Sequence, residues 1–468
     1  MTKGAAMNQP RTDQAVVLGA GIAGLLAARV LADTYRRVTL VDRDDIVSAD
    51  GPRRGVPQGR HISALLAGGL QAIETLLPGL TEDLVDAGVP VGDNLADTRI
   101  VLSGHRLRRG ESGVTMLSLT RPFLERHVRA RVLAIPNVSV APPCDIAGLS
   151  ADPDGGRVTG ARVFRRVDGS VAEVLPADLV VDATGRGSRT SRWLAELGYD
   201  RTAEEQVGLD VGYATALFPL PAGVLDGDLG CLVGPTPEVP RVGVLARVEG
   251  NRWIMTLAGR FGDHPSTEIE GFRAFARALP IPDIHEAITD ADPLRDPVPY
   301  RFPGNLRRRY DRLSRFPAGL VVIGDAVCSL NPIYGQGMTV AALHALALQA
   351  HLRRHPAPDS LRLCRELARV NAAPWDLATG ADLALPGAIG RKSPMVRMMG
   401  RYIARLHQAA AADAALGAAF LRVSSLVDPP TALFRPGTAG RVFRHSARRS
   451  VRWGSDATSP TPAPTPHR

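Results

Sequence analysis

Lysine is nearly missing from this 468-residue chain: Lys3 and Lys392 are the only two, and every other basic side chain is arginine. Cysteine is also scarce. Cys144, Cys231, Cys328 and Cys364 form no CxxC pair, and no His/Cys/Asp cluster has metal-ligand spacing, so neither a disulfide framework nor a zinc module is expected. Aromatic residues make up 5%. No apolar run is long enough to cross a membrane, and no apolar leader separates Met1 from Asp13. These absences point to a reducing cytoplasm. What is present is globular in balance, at 45% hydrophobic and 22% charged, with 47 glycines and 37 prolines for tight loops. The length predicts two or three lobes. The formal charge is +9. Arginine and alanine enrichment suggests a bias spread along the whole chain rather than one basic patch, so no nucleic-acid partner is expected.

The first chemical signal is local. Residues 15–19 read as a short buried strand, followed by Gly19-Ala20-Gly21-Ile22-Ala23-Gly24, an alanine-rich helix to Asp33, and a second strand from Arg37 to Val41 ending at Asp42. This is the dinucleotide fingerprint in its strand–helix–strand context. Gly19 permits the tight turn, Gly21 lets backbone approach a pyrophosphate, and Gly24 lets helix and strand pack closely. The N–H groups of Ile22, Ala23 and Gly24 open the helix and can hold an anion. Asp42 is placed to accept a bond from a free ribose 2′-hydroxyl, with Arg43 beside it, which suits FAD or NAD.

A second turn lies far downstream. An apolar strand ends at Gly324-Asp325, and a loop with Asn331-Pro332-Ile333-Tyr334-Gly335-Gln336-Gly337-Met338-Thr339 opens a long alanine-rich helix. Its residues alone indicate an anion- or ring-binding turn at a sheet edge. The stretch closely resembles the second FAD motif of the class A flavoprotein monooxygenases, the family of the aromatic hydroxylases. The resemblance implies that Asp325 bonds the ribityl and pyrophosphate region. It places Pro332 beside the isoalloxazine ring, and the backbone of Gly335, Gln336, Gly337 and Met338 along its pyrimidine edge. Arg121, opening Arg121-Pro122-Phe123-Leu124-Glu125-Arg126-His127, matches the family arginine that reaches the cofactor phosphates. In the basic loop Arg53-Arg54-Gly55-Val56-Pro57-Gln58, an arginine, taken as Arg54, faces phosphate or the flavin edge.

The middle motif departs from the aromatic hydroxylases. Asp182-Ala183-Thr184-Gly185-Arg186-Gly187-Ser188 puts Thr184 where the family has aspartate, with Gly185 following. In combination with the other motifs this variant looks most like the squalene-epoxidase-type epoxidases of polyether antibiotic biosynthesis. Flavin halogenases share the variant but depend on a first-lobe lysine, and no lysine lies between Lys3 and Lys392. The resemblance implies FAD as cofactor and NAD(P)H as electron source, either directly or through a separate flavin reductase.

The expected fold is α/β. A Rossmann-like FAD-binding domain is assembled from the discontinuous segments 12–87, 114–208 and 301–350. A mixed or antiparallel-sheet substrate domain comes from 88–113 and 209–300. A helical C-terminal region covers 351–453, and a proline-rich disordered tail covers 454–468. Period-two alternation over 242–257 predicts strands, on which Trp253 and Met255 either line a substrate pocket or lie in core. Met395, Met398 and Met399 are candidates for a soft apolar wall. The arginine run 307–309 reads as a solvated face.

The resemblance implies transfer of one oxygen atom from O2, through a flavin C4a-hydroperoxide, to a carbon–carbon double bond of a hydrophobic polyketide or polyene. Hydroxylation of an aromatic or polyketide ring competes, and His61 is the candidate group to meet a phenolate. A prenyl double-bond reductase, which would consume no O2, and a non-catalytic flavin-fold carrier are further alternatives. The partners expected are the apolar substrate, O2, a flavin reductase, an acyl carrier bearing the substrate, and at most peripheral membrane contact.

Overall fold

The computed structural model describes residues 12–166, 171–221, 223–355, 357–391 and 393–452. The tail expected to be disordered lies outside them. The first lobe is a five-stranded parallel sheet of β1 (Thr12–Leu18), β2 (Tyr35–Val41), β3 (Val138–Val140), β4 (Leu179–Asp182) and β5 (Leu320–Val322), in the order β5-β4-β1-β2-β3. Ala15 to Leu18 are wholly buried because both faces of the sheet are covered. On one face pack α1 (Ile22–Leu31), α2 (Arg121–Leu133) and α3 (Gln336–Arg354). The other face carries a three-stranded antiparallel sheet, Cys144–Ala151, Val158–Arg165 and Glu173–Pro176.

The strand register builds the site. Leu18 pairs with both Val41 and Asp182, and Asp182 pairs with Val322. Four carboxyl ends are therefore level, and they deliver Gly19, Asp42, Ala183 and the Gly324 turn to one edge. Open parallel sheets bind ligands at that edge.

The second sheet has eight strands in the order Cys328–Ser329, Val298–Arg308, Glu204–Phe218, Arg252–Arg260, Val242–Val248, Gly230–Val233, Thr98–Leu102 and His105–Arg106. It is antiparallel except where Gly230–Val233 runs parallel to Thr98–Leu102. Glu204–Phe218 crosses the border expected at 208/209, and Val298–Arg308 crosses the one at 300/301, because the two strands pair from Glu204↔Arg308 to Thr215↔Val298. Arg307 to Arg309 are not a solvated face. Arg307 pairs with Glu205 at 2.5 Å, Arg308 is buried against Glu204 at 3.2 Å, and Arg309 bridges Glu205 and Asp311 at 2.8 and 2.6 Å.

The C-terminal region is helical, with α4 (Ala372–Ala384), α5 (Pro394–Ala410), α6 (Ala414–Ser424) and α7 (Pro436–Arg452). Leu406, Leu416, Leu421 and Val442 share a core with Leu95, Ile100 and Leu107, so these helices close over the edge of the second sheet.

Candidate active site

A single cavity of about 2240 Å³ runs from the Gly19 turn to α5 and α6. Pockets for one small ligand hold roughly 300–1,000 Å³, so this one has room for a dinucleotide and a substrate together. Its near end is lined by Gly19, Gly21, Ile22, Ala23, Asp42 and Arg43. Gly24 does not line it, and packing explains why the position is glycine: a Cβ there would sit 1.8 Å from the Gly19 carbonyl oxygen. Gly21 is the opposite case, with no heavy atom within 4 Å of a built Cβ. The first N–H groups of α1 open onto that space, and no side chain caps them.

Asp42 is buried and well occupied. Its Oδ2 accepts from the Ala20 N–H at 2.7 Å and from Arg53 at 3.3 Å, while Oδ1 accepts from the Asp44 N–H at 2.9 Å. Arg53 continues to Glu125 at 3.3 Å, and Glu125 accepts from Arg121 Nε at 2.8 Å. A chain of alternating charge thus joins Asp42 to Arg121, which lines the cavity. Arg54, the arginine expected here, is exposed and outside the lining. Adjacent residues of an irregular loop point apart, and nothing in the pair Arg53-Arg54 says which one turns inward.

Thr184 and Gly185 also line the cavity. Thr184 donates from both N–H and hydroxyl to Asp182 Oδ1, at 2.8 and 2.6 Å, while Ser188 and Thr190 donate to Oδ2 at 2.5 Å each. The threonine therefore caps a turn around a buried aspartate. Arg186, not singled out from the sequence, lines the cavity, donates to Ser329 Oγ at 3.1 Å and lies over the Phe302 ring. Asp325, also in the lining, is held above the usual carboxylate range by burial, with Arg121 and Arg186 pulling it back.

Pro332, Gly335, Gln336, Gly337 and Met338 line the middle of the cavity, where the nineteen-residue helix α3 begins without a side-chain cap. Gln336 Oε1 is buried with no hydrogen-bond partner, and a Cβ on Gly337 would meet only Asp325 Oδ1, at 3.7 Å. Gly324 lies behind the wall. Its N–H donates to His344 Nδ1 at 2.9 Å, which places that imidazole's proton on Nε2, 3.0 Å from Asn371 Oδ1. Two uncapped helix starts, a glycine cradle, an orphaned amide oxygen and the charge chain from Asp42 fit an FAD laid across the strand ends.

His61 sits farther in, buried and lining the cavity. Its Nδ1 shares a hydrogen bond with Thr215 Oγ1 at 2.8 Å, and Thr215 is 2.7 Å from the Thr256 hydroxyl opposite it in register. Burial, with Arg60 adding to it, brings the His61 pKa down to about 4. The Tyr300 ring lies 5.3 Å away. Trp253 and Met255 do not reach the cavity. They are wholly buried with Phe218, Phe272 and Ile284 on the far face of the sheet, while Thr256, Ala258 and Arg260 face inward. Alternation fixes two faces, but both are covered here, so hydrophobicity does not reveal which one meets substrate.

One polar cluster has no counterpart in the sequence reading. Asp382 of α4, with no exposed surface, accepts from Arg260 at 3.0 Å, Asn305 at 2.7 Å, Asn331 at 3.1 Å and Tyr334 at 2.7 Å. It ties the C-terminal helices to the Pro332–Met338 loop and to the second sheet. Met395 and Met399 line the far end of the cavity as expected of a soft wall, whereas Met398 is exposed and outside it.

Comparison with known proteins agrees with this geometry. Residues 17–66 match a family model described as an NAD(P)-binding Rossmann-like domain. Protein Rv3254 of Mycobacterium tuberculosis (strain ATCC 25618 / H37Rv) is 35% identical over 455 residues, covering 93% of this chain and 94% of that one. Kynurenine 3-monooxygenase of Salinispora arenicola (strain CNS-205) is 26% identical, covering 77% and 76%. Among solved structures the flavin-dependent brominase Bmp2 superposes with a TM-score of 0.65 at 14% identity, covering 94% of this chain and 99% of that one, a likeness of fold.

Proposed function

We propose that this chain, which belongs to the family of protein Rv3254 and to the class A FAD-dependent monooxygenases, transfers one oxygen atom from O2 to a carbon–carbon double bond of a large, mainly apolar polyketide or polyene. Reduced FAD, formed at the expense of NAD(P)H, supplies the two electrons and the activation of O2, with the second oxygen atom leaving as water.

The chain's own residues bind, orient and exclude. The α1 start and Arg121 hold the phosphates. Asp42 receives the ribose, held in place by Arg53. The backbone N–H groups at Gln336 to Met338, at the positive end of α3, would stabilise negative charge on a bound flavin. Ile100, Leu102, Val244, Ile403 and Leu421 wall the far end of the cavity and keep water from the reacting carbon. The observation that carries the reading is continuity: one cavity joins the dinucleotide turn to this apolar end.

His61 separates the two kinds of double bond. A pKa brought down to about 4 makes it a hydrogen-bond partner and a poor proton sink. Epoxidation of an alkene requires no deprotonation of substrate and fits such a group. Ring hydroxylation is the second reading, favoured by the placement of His61 inside the cavity, where a phenolic hydroxyl could meet it. Aerobic turnover with isotopically labelled O2, offering polyenes and phenols in turn with and without a flavin reductase, tests both. One labelled atom in an epoxide supports the first reading and one in a ring hydroxyl the second. Product formed without label, or no oxygen uptake with any substrate class, counts against both.

A further inference from the structure

The positive charge of this chain is not spread along it. Residues 383–455 hold twelve basic residues and two acids, Asp413 and Asp428, a net of ten positive charges against nine for the whole chain. Residues 1–382 hold 43 basic and 44 acidic residues and are nearly neutral. The uniform bias expected from the scarcity of lysine is therefore wrong for charge, although it holds for the choice of arginine. The basic segment is α5 to α7 with their connections, and neither α5 nor α7 contains an acid.

Large apolar side chains stand out among these arginines. Met395 and Met398 on α5 are 60% and 57% exposed, and Phe443 on α7 is 54% exposed. Arg401, Arg405 and Arg444 are exposed on the same two helices, which pack against each other. Met395 and Phe434 are exposed and also line the cavity, so its far end opens on this surface. No helix among the described residues is long and apolar enough to cross a membrane.

We propose that this face, α5 and α7 with the 430–435 turn, docks on an anionic lipid bilayer, setting the mouth of the cavity against the acyl region. Acid-free basic helices with exposed Met and Phe suit an interface where arginine meets lipid phosphate and the apolar tips enter below the headgroups. A nucleic-acid backbone would use the arginines and leave Met395, Met398 and Phe443 against phosphate. A bilayer uses both kinds of side chain, and it holds apolar substrates at the opening. This surface chemistry is independent of the oxygen transfer proposed above, and a negative result here leaves that reaction standing.

The full-length holoprotein is sedimented with vesicles of phosphatidylcholine alone and of phosphatidylcholine mixed with phosphatidylglycerol. Binding is expected only to the anionic vesicles and is expected to weaken as salt rises. The double variant Arg405→Glu/Arg444→Glu should lower partitioning by more than about fivefold, since each arginine near such a surface contributes roughly that factor. Met398→Ser with Phe443→Ser should lower it at unchanged charge. Arg36→Glu/Arg37→Glu, on exposed β2 positions of the first lobe, should not lower it. Melting temperature and FAD content check that each variant is folded. If a variant unfolds, the lipid and salt dependence of the unaltered chain still decides. The proposal is overturned if anionic vesicles bind no better than neutral ones, if the α5 and α7 variants bind as well as the parent, or if the chain takes duplex DNA or an acidic carrier protein while ignoring vesicles.

Discussion

Gly324 and Ala23 meet across the carboxyl edge of the parallel sheet: a methyl group built on Gly324 would come within 2.9 Å of the Ala23 Cβ. Two glycine-rich turns three hundred residues apart in sequence are thus neighbours, and the cavity begins at their junction.

Gly21 and Gly24 should fail differently. Gly24→Ala drives a methyl into the Gly19 carbonyl and should lower stability by about 1–3 kcal/mol, with FAD lost as a consequence. Gly21→Ala places its methyl in open space, so the apoprotein should melt as the parent does while FAD affinity falls at least tenfold. Thermal melts of the apoproteins paired with FAD titrations separate the two. Equal apo-stability losses would contradict the assignment.

Arg53→Ala leaves Asp42 buried without its arginine, and Glu125 with Arg121 alone, and should cost roughly 3–5 kcal/mol, together with FAD affinity. Arg54→Ala, at an exposed position, should stay within about 0.5 kcal/mol. Urea denaturation of the two variants measures the difference.

These two cases mark how far the sequence could be read. The glycine turns and the strands of the first sheet other than Val138–Val140 were legible because backbone constraint leaves a fixed residue pattern. Arg53 was not, since side-chain direction in a loop depends on what it meets. Asp382 was not either. One aspartate in an alanine-rich helix has no local signature, and its four partners come from three distant segments. The inward face of Arg252–Arg260 was hidden because both faces are covered. The charge division was available by counting segment by segment.

Asp382→Ala should free the C-terminal helices from the Pro332–Met338 loop. It leaves Arg260, itself buried, without its carboxylate, at a cost of about 3–5 kcal/mol. Asp382→Asn keeps acceptor capacity and should cost less. Limited proteolysis should cut the Ala variant between α4 and α5 faster than the parent, while an unchanged cleavage rate would argue that the tether is idle.

Acid should destabilise the fold before the carboxylates titrate. Burial lowers His61 and His344 to about 4 and His407 to about 3, so the folded chain resists protons that the unfolded chain takes up near the ordinary value of 6.5. Their contribution is full above that value and declines as pH falls from about 6.5 toward about 4, by up to ~1.4 kcal/mol per pH unit for each histidine. Denaturation midpoints across that window should fall with pH, and His344→Gln should flatten the slope. A slope unchanged by the substitution would mean that His344 is not held neutral.

The central claim is that one FAD lies across the two glycine turns. Stripping the purified full-length protein of flavin and titrating FAD back, followed by calorimetry, tests it most directly. The expected result is one FAD bound per chain, weakened by Gly21→Ala and by Arg121→Ala. Failure of the folded parent chain to bind FAD, or binding indifferent to both substitutions, would contradict it.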